Sequence, residues 1–371
     1  MNRRDFLKTT AVGAAVLGAA SCTPKAMENT ISTKGIEGKV PVRHDGADGV
    51  GLLGFGCMRW PMTKDADGKD VIDQKAVNEM VDKALEHGVN YFDSAPVYLR
   101  GASEAATAAA LARHPREDYF IATKLSVWEN DRQKCIEMYK RSLEIYNTDH
   151  IDYYLLHSMN GADNFRERFV DTGIWDFLQK EKEAGRIRKL GFSFHGTKEG
   201  FDSLMALHDS LHWDFVQVQI NYVDWTHAAP DATAEYMYKE LEKLGIPVII
   251  MEPLLGGRLA EIPAVLADRL KARAPQSSIA SWAFRFCGTL PGVLTILSGM
   301  TCMEHLEDNL RTFTDFKPLD AAELELLEQN RSTNTPLWTA RDASTVCPAP
   351  TALTYRASSV STTSTSTTAH T

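Results

Sequence analysis

Residues that can exchange protons or hold charge stand at the ends of short apolar runs along this 371-residue chain. Asp93 closes the run Asn90–Asp93, Lys124 closes Tyr119–Lys124 and His157 closes Asp152–His157. Ser193 closes Lys189–Ser193, Gln217 to Asn221 fill the end of Phe215–Asn221, and Ser298 closes Leu294–Ser298. A carboxylate, an ammonium and an imidazole, with the phenol of Tyr98 just beyond Asp93, can deliver a proton to an oxygen and stabilise charge that develops there. One such residue alone is an ordinary loop contact. Several converging on one rim make a site.

The order of elements is what could make them converge. From Gly51 onward, apolar runs alternate with longer amphipathic stretches such as Ala76–His87 and Arg132–Tyr146, which argues for βαβ units and a parallel sheet. With Gly51–Gly54 first and Val248–Glu252 seventh, the runs number eight. The expected fold is therefore α/β, an eight-stranded (β/α)8 TIM barrel whose chemistry lies at the C-terminal strand ends. A doubly wound open sheet is the alternative, but no G-x-G-x-x-G follows the first run.

Asn90-Tyr-Phe-Asp-Ser-Ala-Pro-Val-Tyr98, followed by Gly101-Ala-Ser-Glu104, resembles the aldo-keto reductase family, whose pattern is Asp-x-Ala-x-x-Tyr and then Gly-x-Ser-Glu. Ala122-Thr-Lys124, Leu155-Leu-His157, Lys189-Leu-Gly-Phe-Ser193 and Glu307-Asp-Asn309 match its later segments, so the resemblance runs from about Gly51 to Leu310. It implies hydride transfer to an aldehyde or ketone, with Tyr98 as proton donor. A free phenol, of pKa about 10, is a poor acid near neutrality. A nearby ammonium favours the phenolate, a task for Lys124, which Asp93 would keep charged and in place. His157 would orient the carbonyl oxygen. Taken singly, Asp93 and Lys124 could be a structural ion pair, Tyr98 a loop aromatic and His157 a satisfied core histidine. The joint pattern argues against all of these together.

The same resemblance implies a nicotinamide cofactor. Ser193 and Gln217 would bind its carboxamide. Met251 stands where many relatives place an aromatic on the nicotinamide ring, and a thioether can pack there. Pro253, Leu254, Gly256 and Gly257 lie in the loop after the seventh run, where backbone amides could approach the pyrophosphate. Plain turn chemistry is the alternative for those glycines. Ser298, Gly299 and Met300 begin the last loop and lead into a helix from about Met303, whose free N–H groups favour a phosphate. Glu307, Asp308 and Asn309 occupy the segment that meets the adenine end in relatives. The last loop has Gly299 and His305 where a lysine and an arginine often clasp the extra phosphate of NADP. The family points to NADP, and this loop leaves NAD open. His195 and Trp225 are candidates to line the mouth, with ordinary loop packing the favoured alternative.

A net charge of −9 argues against a nucleic-acid partner, and no apolar run after the N-terminus is long enough to span a bilayer. Cys22, Cys57, Cys135, Cys287, Cys302 and Cys347 form no C-x-x-C pair, so no metal site is legible, and those within the barrel read as buried thiols. Residues 2–8, Asn-Arg-Arg-Asp-Phe-Leu-Lys, followed by the apolar Ala11 to Ala20, match a twin-arginine export signal. Export makes the protein periplasmic, or a membrane-anchored lipoprotein if Cys22 is lipidated; cleavage after Ala20 is the alternative. The expected divisions are a signal peptide at 1–22, a polar tether at 23–45, the barrel at 46–325 and a low-complexity tail at 326–371.

The tail admits a sharper reading. Residues 358–371 are almost all Ser and Thr. Read in another frame, the codons permitted from Thr339 to Ala357 include Cys-Thr-Gly-Cys-Lys-Tyr-Cys-Met-Pro-Cys-Pro, which resembles an iron–sulfur ligand run. The expectation is a frameshift that destroyed a ferredoxin-like tail like the one carried by relatives with Ser-Phe-His-Gly and Met-Glu-Pro-Leu segments. As it stands, the chain holds only Cys347 there and cannot bind a four-cysteine cluster. Two other functions compete with carbonyl reduction: a barrel module that passed electrons through clusters to a redox partner protein, and a nicotinamide-binding sensor with little turnover. Free NADPH is scarce outside the cytoplasm, so an exported enzyme needs a carried cofactor or another electron source.

Overall fold

A computed structural model describes residues 35–226 and 233–333. Eight parallel strands close into a barrel: β1 (Leu53–Gly56), β2 (Tyr91–Asp93), β3 (Phe120–Leu125), β4 (Ile151–Met159), β5 (Ile187–Phe194), β6 (Val216–Gln219), β7 (Val248–Met251) and β8 (Val293–Ser298). Each strand pairs with the next, and β8 returns to β1 from Ile296 opposite Leu53 to Ser298 opposite Phe55. This is the (β/α)8 architecture expected from the alternation.

Strand periodicity places the site. Side chains two apart on a strand face the same way. Tyr91, Ala122, Tyr153, Leu155, Phe215 and Ile249 form one buried cluster inside the barrel. Asp93 is two residues after Tyr91, Lys124 two after Ala122, His157 two after Leu155, Gln217 two after Phe215 and Met251 two after Ile249. The polar residues are therefore the next layer above an apolar plug. Inside that plug, Tyr153 packs edge-on against Tyr91, Phe120 and Phe215 with ring centroids 5.0, 5.9 and 5.2 Å apart.

Three boundaries differ from the sequence expectation. The first strand is Leu53–Gly56, not Gly51–Gly54, because Gly51 pairs with Val42 in an antiparallel hairpin, Val42–Asp45 with Asp48–Gly51. The slip is two residues, so the inward set keeps its parity. The same hairpin shortens the expected tether 23–45: Val42–Asp45 is a strand, turned at Asp45-Gly46, with Gly46 at φ +64°. It caps the N-terminal end of the barrel, with Val50 buried in the interior cluster and Lys189 Nζ donating to Asp45 at 3.0 Å.

At the other end, the barrel does not stop at 325. A helix runs Ala321–Thr333 and buries Leu327. It starts with a capping box: Glu323 N–H donates to the Asp320 carboxylate at 2.8 Å while Asp320 N–H donates to Glu323 at 3.1 Å. Residues 326–333 are therefore helix rather than tail. The leader with Cys22 and the segment 334–371, which includes Cys347 and the reading-frame argument, lie outside the described residues.

The helices that matter to the site are α1 (Gln74–Glu86), α2 (Ser103–Leu111), α3 (Arg132–Tyr146) and α4 (Met303–Thr314). α1 buries Val77, Met80, Val81 and Ala84 at helical spacing behind an Asp73 cap. Cys57, Cys135 and Cys287 are buried free thiols, and Cys302 is half-buried.

Candidate active site

The chain leaves β2 at Asp93 and turns sharply to bring Tyr98 back over the rim. Leu99 and Arg100 lie in the left-handed region at φ +49° and +58°, a conformation that costs a non-glycine residue of order 1 kcal/mol each. The surrounding bonds hold it. Ser103 Oγ donates to Cys57 O at 2.7 Å and shares a 2.8 Å bond with Ser94 Oγ. Glu104 is buried and accepts from Thr123 Oγ1 at 2.6 Å and Ser142 Oγ at 2.9 Å. The Gly-x-Ser-Glu segment thus clamps α2 to β3, α3 and the loop after β1. Burial pushes the Glu104 carboxyl above the usual range.

Lys124 has no solvent exposure. Its ammonium donates to Asp93 Oδ1 at 2.6 Å and to Ser94 O at 2.8 Å. It lies 4.7 Å from the centroid of the Tyr98 ring and within hydrogen-bonding contact of that side chain. Burial works against charge on both members of the ion pair. At Lys124 the Asp93 carboxylate and Tyr98 outweigh it and hold the ammonium above the ordinary lysine range. At Asp93 burial dominates and the carboxyl sits above its usual range, opposed by Lys124. We take the charged pair as the resting state, since the Lys124 ammonium donates one bond to the Asp93 carboxylate and a second to the Ser94 carbonyl. Asp93 Oδ2 is buried and has no hydrogen-bond partner among the described residues.

His157 faces Tyr98 edge-on, with centroids 5.9 Å apart, and Trp128 at 5.7 Å. Its Nδ1 is 2.6 Å from Ser126 Oγ. Burial first, then the charge of Lys124, neighbouring His195 and the charge of Arg168, hold the imidazole well below the usual histidine range. It is neutral at pH 7. Its carbonyl accepts from Arg168 Nη1 at 3.0 Å. Ser126, Trp128 and Arg168 were not singled out from the sequence. A serine two residues past the lysine, on the same strand face, was the readable clue to the first of them.

The expected cofactor residues divide. Ser193 and Gln217 are register partners on β5 and β6, both buried. Ser193 Oγ accepts from Ser158 N–H at 2.9 Å, which leaves its hydrogen free to donate. Gln217 Nε2 reaches Met251 Sδ at 3.7 Å, and Oε1 is buried with no partner among the described residues. Met251 is half-buried on the same rim. After β7 the backbone is held open by Glu252 at φ +53°, Leu255 at +49°, Gly256 at +68° and Gly257 at +101°. Pro253 is buried in this turn and Leu254 packs against the core.

In the last loop Gly299 is exposed, and a Cβ there would come 3.1 Å from Arg59 Cδ. A cation from the loop after β1 therefore stands beside the glycine. Met300 is buried. Asn309 is buried and donates to Ser298 Oγ at 2.9 Å, Asp308 bonds Ser278, and Glu307 pairs with Lys83 and Arg311. All three side chains of that segment of α4 already have protein partners. His305 Nδ1 accepts from Thr301 N–H at 3.3 Å. Trp225 packs on Tyr238 and Phe286, as ordinary loop packing would have it, and His195 is exposed near His157.

Known proteins resemble this chain in sequence and in fold. Residues 52–331 match the model of the aldo/keto reductase family, and residues 1–20 match the twin-arginine translocation pathway signal sequence. The uncharacterized oxidoreductase YqkF of Bacillus subtilis is 24% identical over 313 residues, 76% of this chain and 92% of that one. Methylglyoxal reductase YeaE of Escherichia coli is 31% identical over 144 residues, 39% of this chain and 46% of that one. Among solved structures, the holo form of aldo-keto reductase AKR11C1 from Bacillus halodurans superposes with a TM-score of 0.61 at 23% identity, covering 78% of this chain and 96% of that one. An aldo/keto reductase from Klebsiella pneumoniae in complex with NADP and acetate gives 0.61 at 22%, covering 78% and 95%.

Proposed function

The chain belongs to the aldo/keto reductase family of oxidoreductases, and we propose that it reduces an aldehyde or ketone at the rim where Asp93, Tyr98, Lys124 and His157 meet. The observation that carries this reading is the buried ammonium of Lys124, 2.6 Å from Asp93 and 4.7 Å from the Tyr98 ring. An ammonium sealed from water beside a phenol favours the phenolate and makes the phenol a better acid. Asp93 keeps that charge in place. We assign the Ser126 hydroxyl hydrogen to the 2.6 Å bond with His157 Nδ1 over the 3.5 Å bond with the Lys124 carbonyl, an assignment that puts the imidazole proton on Nε2. A carbonyl oxygen between the two rings then receives a hydrogen bond from Tyr98 and one from His157, and the proton of Tyr98 passes to it as negative charge develops.

The rim also suits a nicotinamide. A primary carboxamide offers one acceptor and two donors, and the chain presents the matching pair: the free hydroxyl hydrogen of Ser193 and the unpartnered Oε1 of Gln217. Met251 would pack against the ring. Pro253, Leu254 and Gly256 would line the pyrophosphate with backbone, as would Ser298, Gly299 and Met300 at the start of α4. Asp308 and Asn309 would border the adenine end mainly through backbone and packing. When bound, the cofactor supplies the hydride. We take NADP as the cofactor, supported by the family and by Arg59 beside Gly299. Tyr98→Phe tests the reading: consumption of NADPH with a panel of aldehydes should fall at least about a hundredfold while cofactor binding persists. Full activity in that variant would refute the mechanism, and tight cofactor binding with no turnover in the wild type would favour a sensor.

A twin-arginine signal supports export of the folded enzyme. Within this reading, Cys22 is a lipid anchor site, the partner is a small carbonyl compound, and the lost cluster-binding tail once met a redox protein. Labelling with a radioactive fatty acid tests the first point, and resequencing the locus tests the last.

A further inference from the structure

We infer that Arg168 is a positioning residue for this site: its guanidinium ties the ends of β3 and β4 together through His157 O and Val127 O and sets a fixed cation behind the imidazole, added to burial and Lys124. The inference rests on the reading of His157 as a neutral hydrogen-bond donor. Arg168 lies in a π-helical turn, Arg166–Val170, that directly follows the short helix Ala162–Phe165. Such wide turns are rare and are enriched at functional sites. This one sends Arg168 and Phe169 inward while Arg166, Glu167 and Val170 remain exposed.

The guanidinium holds both strands at the point where the site begins. Nη1 donates to His157 O at 3.0 Å and to Asn164 Oδ1 at 3.4 Å. Nη2 donates to Val127 O at 3.0 Å, three residues past Lys124. One planar group thus fixes the segment that follows Lys124 relative to the residue that bears the imidazole. Its face rests on Phe169, 4.7 Å from the ring centroid.

What separates Arg168 from a structural arginine is its charge balance. Arg116, Arg186 and Arg285 each pair with a carboxylate. Arg168 is only 5% exposed, and among the described residues it has no carboxylate partner; Nε lacks any acceptor. Burial pushes the guanidinium down to about 10, so it is still a cation at neutral pH. Buried charges are ordinarily paired, because an unpaired one is costly. Around His157 stand Tyr98, the Lys124 ammonium, His195 and Arg168, with Ser126 on Nδ1 and Trp128 alongside. The Asp93 carboxylate balances Lys124. The charge of Arg168 is left over, and it disfavours an imidazolium while favouring an oxyanion in front of it.

The test is an NMR titration of the His157 imidazole in the purified enzyme without substrate, in wild type, Arg168→Met and Arg168→Lys. The wild-type ring and the Lys variant should stay neutral to low pH. In Arg168→Met the midpoint should climb by about one unit, and the acid limb of kcat/KM should move up with it. Arg168→Lys keeps the charge but cannot bridge both carbonyls, so kcat should fall without a shift of the midpoint. An unshifted His157 in folded Arg168→Met overturns the inference, as does a shift of equal size in Arg168→Lys. If the Met variant does not fold, Arg168→Gln is read the same way, and failure of both to fold makes Arg168 a folding residue and ends the inference. The titration needs no turnover, so it stands or falls separately from carbonyl reduction.

Discussion

Asp93→Asn isolates the ion pair on which the site depends. At 2.6 Å the Asp93–Lys124 attraction is about 6 kcal/mol for an effective dielectric of about 20. Desolvation of two buried groups offsets part of this. Removing one partner still leaves a buried charge uncompensated, which costs about 3–5 kcal/mol. For a domain of this size that lowers the melting temperature by about 10 °C. The pH dependence carries the sharper information. In the wild type Asp93 holds Lys124 above its unfolded value, so the pair stabilises fully below about pH 10 and its contribution is lost as pH rises through the folded value. In Asp93→Asn burial, the Ser94 carbonyl and the weaker contact with Tyr98 remain, and burial pushes the lysine down. The ammonium is then lost at much lower pH, and kcat/KM should fall about a hundredfold at pH 8 and less at pH 6. Stopped assays from pH 5.5 to 9.5, with thermal melts at each pH, measure both effects. A variant that melts within about 2 °C of wild type and keeps the wild-type pH profile would refute the reasoning.

Ser126→Ala should lower kcat about fivefold through loss of one orienting hydrogen bond of about 1 kcal/mol, with KM for cofactor unchanged, and Ser126→Thr should restore most of it; steady-state kinetics decide. Gly191→Ala should cost about 1–3 kcal/mol in urea unfolding, because the new Cβ would lie 2.3 Å from Phe215 O and 2.9 Å from its ring, where β5 runs beside the residue that leads into β6. Unchanged stability there would mean that the two strands part more easily than their packing implies.

The barrel was legible because its signal is repeated eight times, and an error of two residues, as at Gly51, leaves every inward position intact. Asp93, Lys124 and His157 were readable because a polar residue that ends an apolar run is conspicuous. Arg168 was not. It sits in Asn164-Phe-Arg-Glu-Arg-Phe169, where three of six residues are charged, a stretch that reads as a solvated helix face. Only the wide turn, which sequence periodicity does not announce, sends it inward. The C-terminal helix was missed for another reason. Its Asp320-Ala-Ala-Glu323 start is a readable capping box, but the Ser/Thr-rich composition farther along drew the boundary too early. Cofactor choice was hard to read because a cation near the last loop comes from Arg59, far away in sequence.

The N-terminal hairpin has a consequence for orientation. Val40 N–H donates to His87 O and the His87 ring meets Gly38 O, so the chain enters beside the turn that precedes β2, at the end of the barrel closed by Val50 and Asp45. The rim that bears Tyr98 is at the opposite end. The first described residues, from Gly35 to Val40, therefore lie at the sealed base of the barrel. The mouth opens away from the point where the described chain begins, so the entry of the chain leaves the rim uncovered.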